Sequence, residues 1–280
     1  VKSTLFAHWG VARTTELLEA GVSRSVLSAM VDQKVLLRPF RGVYCTPRAV
    51  PHWAQLRSQG YDSTCETAAR AIGLWVLKGP SALHASYRRT ASLPETIIHM
   101  GEPVVKVVSH KRRFANRVLD IVVSAIRCLP ELRALVIAES AVVQGKISLT
   151  ELRTAVAKSG RVRERALVER INPFSESILE TVGRYLLEEA GFHVQIQVGV
   201  RGLGRVDAMV DGILGIEFDG RESHDTKAGY DEDRRRNNVA MVEGIPVLRV
   251  TYALVVHHPE EFIRTVSDAL AKLIKRGHGV

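Results

Sequence analysis

The sequence predicts a mixed α/β protein. An α-β-β-β-α-β-α core spans residues 171–280, preceded by a winged helix-turn-helix over 1–50 and a small basic α/β linker domain over 51–170. Three observations lead there. Stretches with helical spacing of apolar residues give way to short alternating or wholly apolar runs, which read as strands. Two short helical patterns meet at Gly21 and run into a hairpin-like pair of strands. Charge also divides the chain, with a net +4 over 1–50, +9 over 51–170 and −4 over 171–280. With 280 residues to distribute, that asymmetry fits separate cores better than one.

In the first module, "GVARTTELLEAGVSRSVLSAMVDQKVLLRPFRGVYC", Leu17, Leu18, Leu27, Met30 and Val31 keep helical spacing around Gly21. Gly21 ends one helix and Ser23 caps the next. The strand-like pieces "KVLLRP" and "GVYC" flank Phe40-Arg41-Gly42 and make a wing with a basic tip. The helix from about Arg24 to Gln33 is then the recognition helix. Arg24, Ser25 and Ser28 face the groove, and Arg38 and Arg41 reach phosphates. Winged modules also bind proteins, so the pattern alone leaves the partner open.

In the linker, "STCETAARAIGLWVLKG", "PELRALVIAESAVVQG" and "SLTELRTAVAKSG" read as helices, the last with a Ser148/Glu151 capping box. "ETIIHMG", "PVVKVVSH" and "VLDIVVSAI" read as strands. The basic runs 109–117 and 159–165 suit either phosphate contact or a solvated face. His84, His99 and His110 are isolated in sequence. Cys45, Cys65 and Cys128 are odd in number and widely spaced, which argues for a reducing compartment and against a disulfide framework or a structural zinc site.

The third module runs from "FSESILETVGRYLLEEAG", a helix capped by Ser175 and closed by Gly191. The strands "HVQIQVGV", "RVDAMV" and "ILGIEFD" follow, then the helix "DEDRRRNNVAMVEG", the strand "PVLRVTY" and a final helix from Pro259. A crossover helix between the third and fourth strands requires that pair to be parallel.

This module places Asp207, Glu217 and Asp219 within or at the ends of apolar strands, and burying carboxylates is costly unless they are compensated. Glu217 and Asp219 share one face of their strand. A two-residue Asp211-Gly212 hairpin would set Asp207 opposite Ile216. A three-residue connection, or a bulge at Gly215, sets it opposite Glu217 and gathers the acids. Clustered carboxylates with a main-chain carbonyl and waters suit Mg²⁺ (or Mn²⁺), which activates water against a phosphodiester. His224 is placed to move a proton, and Arg234, Arg235 and Arg236 to hold phosphate. Singly, each has a plainer role. A strand-end Asp forms turns, Glu176 complements a helix dipole, and an Arg run makes surface salt bridges.

"SESILE", "RVDAMV", "GIEFDGRESH" and "YDEDRRRNNVAMVEGIPVLRV" resemble the domain of unknown function related to the very-short-patch-repair endonuclease, in the PD-(D/E)XK restriction-endonuclease-like superfamily. The resemblance covers about 170–256. It implies that Asp207 is the motif Asp, Glu217 the second acid and the Phe218 carbonyl a further metal ligand. It also makes His224 the repair-type histidine and Glu176 the helix acid. Asp219 stands where the superfamily usually has Lys, and Val206 stands where Pro precedes the Asp. "VARTTELLEAGVSRSVLSAMVDQKVLLRPFRGVY" resembles the winged-helix domain of abortive-infection-type antitoxins, which implies DNA binding or transcriptional control.

Two functions follow as expectations. One is an Mg²⁺-dependent endonuclease or nickase on double-stranded DNA, acting in defence or restriction, with a homodimer needed for a double-strand cut. The alternative is a DNA-binding regulator or antitoxin whose nuclease-like domain is non-catalytic. Apolar runs such as Ile121–Ile126 are too short to span a bilayer, and the expected location is the cytoplasm, at the nucleoid.

Overall fold

The first turn of the chain is set by Gly21. The computed structural model describes residues 10–49, 51–78, 82–87, 96–99, 102–111, 117–158, 161–200, 204–219, 246–275 and 277. The chain forms two compact units, Val1–Ile171 and Asn172–Val280, both mixed α/β.

The first unit opens with β1 (Val11–Arg13), α1 (Thr14–Glu19), α2 (Arg24–Asp32), β2 (Leu37–Phe40) and β3 (Val43–Cys45). Gly21 takes φ 82°, a left-handed conformation that costs glycine little, and so ends α1. Ser23 caps α2 by accepting from Val26 N at 3.3 Å. The strands form an antiparallel sheet in the order β1-β3-β2, completing a winged helix. Leu17, Leu27, Leu36 and Tyr44 close its core, with Met30 and Val31 against them.

A second cluster joins this module to the chain beyond it. Trp53 and Leu56 of α3 (Pro51–Ser58) pack with Val11, Val43 and Ala85. Beside them Arg57 is 1 % exposed, and Glu16 of α1 and Asp62 of β4 (Asp62–Ser63) neutralise it. Arg13 adds bonds to Asp62 Oδ1 at 3.0 Å and Tyr61 O at 2.7 Å. Removing one partner of such a network leaves a buried charge uncompensated.

The rest of the unit is a sheet in the order β4-β5-β7-β6, with β5 (Leu83–Tyr87), β6 (Thr96–His99) and β7 (Glu102–Lys111). Its helices are α4 (Cys65–Ala71), α5 (Arg117–Cys128), α6 (Glu131–Val143), α7 (Leu149–Ala157) and α8 (Val162–Glu169). Ser148 accepts from Glu151 N at 3.1 Å, the cap expected for α7. Two expectations are corrected. "VLDIVVSAI" lies in α5, not in a strand. Arg117, Asp120, Ser124 and Arg127 recur at intervals of three and four, a helical period, but the β-branched run of Ile121, Val122 and Val123 reads locally as a strand. The helix expected over "STCETAARAIGLWVLKG" stops at Ile72 and Gly73, so Trp75 lies beyond it.

The second unit begins with α9 (Ile178–Glu189), followed by β8 (Val194–Val200), β9 (Gly204–Val210) and β10 (Leu214–Asp219). After the undescribed 220–245 come β11 (Val247–Thr251), a π-helical turn at Ala253–His257 and α10 (Pro259–Lys275). The sheet order is β11-β10-β9-β8. The first three strands in sequence are antiparallel neighbours, and β10 and β11 pair in parallel, as the crossover connection requires. The crossover helix expected over 231–244 lies outside the described residues. The N-cap of α9 is Ser177, which accepts from Glu180 N at 3.1 Å, rather than Ser175, whose buried Oγ has no hydrogen-bond partner among the described residues.

α9 lies unusually close to the sheet. A Cβ on Gly183 would meet Phe218 Cε1 at 2.2 Å, and the Phe218 ring is itself backed by Phe262 of α10 at 6.4 Å between centroids. Phe218 and Ile216 therefore fill the core face of β10, which sends Glu217 and Asp219 to the other face. Gly183→Ala should destabilise the second unit by about 1–3 kcal/mol through overpacking. Urea unfolding followed by near-UV circular dichroism would measure this, and an unchanged midpoint would show that the ring moves aside without cost.

Candidate nucleic-acid interface and acidic site

In the winged module, Arg24, Ser25, Ser28, Arg38 and Arg41 are all exposed. Thr14, Arg24, Ser28, Val31, Arg38 and Tyr44 line one groove of about 260 Å³ between α2 and the wing. Arg38 is held over the Tyr44 ring, 5.7 Å from its centroid, a cation–π contact that orients the guanidinium. The structure thus brings three of the five expected DNA contacts together. Arg41 sits in the wing turn, and the Ser25 hydroxyl is engaged with Ser23 Oγ at 2.8 Å. Thr14 and Tyr44 were not anticipated, because nothing in their spacing shows that the sheet folds back beside α2. Within the basic runs, three described arginines bond inside the fold. Arg117 donates to Ser63 Oγ, Arg163 to Leu129 O, and Arg161 pairs with Glu164.

The acidic site is built by the β9–β10 connection. Val210 pairs with Leu214 across three residues, Asp211 to Ile213, and Ile216 pairs with Ala208. One step further in the same register Asp207 faces Glu217, and both side chains share a sheet face. There Asp207 Oδ2 accepts from Phe218 N at 2.8 Å. In the parallel pair, Arg249 stands beside Glu217 and Thr251 beside Asp219. Arg249 lay outside the expected set.

Glu180, one turn along α9 from Glu176, is the buried helix acid at 4 % exposure. Its Oε2 accepts from Glu176 N at 2.9 Å and from Gln197 Nε2 at 2.8 Å. Gln197 lies at the register position opposite Asp207 and takes φ 56°, which breaks the strand's alternation there. Burial pushes the Glu180 carboxyl above the usual Glu range, and the charge of Asp207 adds to that shift. The hydrogen bonds from Glu176, Gln197 and Ser177 oppose it. Glu176 instead pairs with Arg205 at 2.7 Å, each a little over half exposed. The Ser177-x-x-Glu180 spacing was a readable sign of Glu180, since it is a capping-box pattern.

His224, Arg234 and Arg235 lie outside the described residues. The donors that are described, Asp207, Glu217, Asp219 and Glu180, are all oxygen, which suits a hard cation such as Mg²⁺. Gln197 Oε1, buried and without a hydrogen-bond partner among the described residues, is a further oxygen at this edge. No three acids among the described residues bring their oxygens within 4.8 Å of one another.

A family model described as "Transcriptional regulator, AbiEi antitoxin" matches residues 3–47. No curated protein matches the chain. The winged segment is therefore similar to an antitoxin-type transcriptional regulator. No described helix is long and apolar enough to cross a membrane.

Because the folded-state pKa of Glu180 is raised, its ionisation opposes folding. Stability falls as pH rises from the unfolded-state pKa through the folded one. Glu180→Gln should raise Tm at neutral pH, and the gain should vanish in acid where wild-type Glu180 is protonated. A Tm difference independent of pH would trace to the altered hydrogen bonds instead.

Proposed function

We propose that the chain is a double-stranded-DNA-binding transcriptional regulator of the antitoxin type. α2 enters the major groove and the β2–β3 wing lies on the backbone. One observation carries this reading. Arg24, Ser28 and Arg38 share a groove within the segment matched by the antitoxin-type regulator family. Arg24 and Ser28 stand on the exposed side of α2, where base edges are read, and Arg38 and Arg41 supply phosphate contacts. Fluorescence anisotropy on the DNA upstream of the chain's own coding sequence tests it. Arg24→Ala should cost about 1–3 kcal/mol and relax specificity, and Arg41→Ala should weaken binding to all sequences and lower the salt slope by about 1. Asp207→Ala should leave affinity unchanged. Equal affinity and salt dependence for wild type, Arg24→Ala and Arg41→Ala would remove the proposal.

A second reading, a metal-dependent DNA endonuclease or nickase used in defence, is favoured by the three-residue turn that sets Asp207 against Glu217. The order α9-β8-β9-β10 followed by β11 and α10 is compatible with the PD-(D/E)XK core that the sequence resemblance implies. In this reading Asp207, Glu217 and the Phe218 carbonyl would hold Mg²⁺ or Mn²⁺, with Asp219, Glu180 and His224 nearby. A bound ion would polarise the phosphate and lower the pKa of an attacking water. Plasmid nicking with Mg²⁺ that drops to background in Asp207→Ala supports this reading. Equal nicking by both proteins would sink it.

A further inference from the structure

Three residues far apart in sequence meet in the first unit. Cys65 begins α4, His84 lies in β5 and Cys128 ends α5. One sulfur or nitrogen of each lies within 4.8 Å of the other two, and Cys128 Sγ is 3.7 Å from His84 Nδ1. We propose that Cys65, His84 and Cys128 form a zinc site.

The meeting is built into the backbone. Thr64 N donates to His84 O at 2.9 Å, and His84 N donates to Thr67 Oγ1 at 2.9 Å, so the start of α4 is tied to β5 on both sides of Cys65. Cys65 itself takes φ 50°, a left-handed conformation rare for a residue with a side chain and typical of a position that must aim a functional group. Cys65 is fully buried, His84 nearly so, and Cys128 is exposed. Two ligands are thus sheltered while solvent still reaches the third.

The chemistry selects the ion. Zn–S bonds of about 2.3 Å and Zn–N bonds of about 2.0–2.1 Å in a tetrahedron put neighbouring donors roughly 3.5–3.8 Å apart, close to the Cys128–His84 separation. Two sulfurs and an imidazole are soft and borderline donors, which disfavour Mg²⁺ or Ca²⁺. Two thiolates and a neutral imidazole around a divalent ion carry no net charge, so the centre can be buried at little electrostatic cost. Buried cysteines often serve only as small apolar fillers. That role does not explain a buried imidazole whose Nδ1 faces a sulfur. Three protein ligands leave the fourth position for water, and the ion would clamp α4, β5 and α5 together. The proposal is independent of DNA binding and of the acidic site.

The test uses the full chain purified without chelators. Elemental analysis should find about one zinc per chain, and the Cys65→Ser/Cys128→Ser double variant should lose it. Replacement by Co²⁺ in the wild type should produce thiolate-to-cobalt charge-transfer absorption and the visible bands of a tetrahedral centre. An ion held by the carboxylates of the acidic site would give no thiolate band. A chelator should expose two further thiols to a thiol reagent without any reductant. A folded wild type that lacks zinc and gives no thiolate–cobalt band would overturn the site. So would a Cys65–Cys128 disulfide found by mass spectrometry, or a folded double variant that keeps its zinc.

Discussion

Much of this protein is arranged around charge that cannot be left uncompensated out of water. Arg57 is buried where the winged helix meets the chain that follows, and Glu16 and Asp62 reach it from opposite sides in sequence. Glu66 is met by Arg133, with Arg133 Nη2 2.6 Å from Oε1, and Glu164 is met by Arg127 at 2.8 Å. Each pair joins two elements, so satisfying the charge also fixes how helices sit on their neighbours. Several arginines of the first unit are thereby internal partners.

The same constraint shapes the second unit. Asp207 and Glu217 share one face of the central strands β9 and β10, opposite the core face of Ile216 and Phe218, and Glu180 lies in the first turn of α9. Their compensation includes Phe218 N for Asp207, a register position beside Arg249 for Glu217, and backbone and Gln197 donors for Glu180. Glu180 is left with a raised pKa, and Gln197 in a left-handed conformation. Strain and perturbed ionisation gathered at one edge of a sheet are what a functional site tends to cost a fold. The winged module also carries an exposed cationic groove lined by Arg24 and Arg38.

Helix-turn-helix, wing, the strands of the second unit and its last helix were all legible in the sequence. Their signals are local: Gly21, Ser23, a turn at Arg41-Gly42, alternation in "RVDAMV" and the cap at Pro259. The meeting of Asp207 with Glu217 was one of two registers the sequence allowed, and the three-residue turn decides it. Local reading failed in α5, where the β-branched run of Ile121, Val122 and Val123 mimics a strand although Arg117, Asp120, Ser124 and Arg127 keep a helical interval. The cap of α9 was placed two residues early because Ser175 and Ser177 are equally good on paper, and only the path of the backbone chooses Ser177.

By itself the sequence determined most of the elements and the exposed side of α2, because each depends on neighbours a few positions away. Only the tertiary structure decided that Glu180 and not Glu176 is the buried helix acid, and that Arg249 lies beside Glu217. It also brought Cys65, His84 and Cys128 together across three elements, a convergence their spacing does not announce. Ligand spacing can be read from sequence only when the ligands sit on one turn or one hairpin. When sheet pairing and helix packing bring them together, their separation along the chain carries no trace of their distance in space.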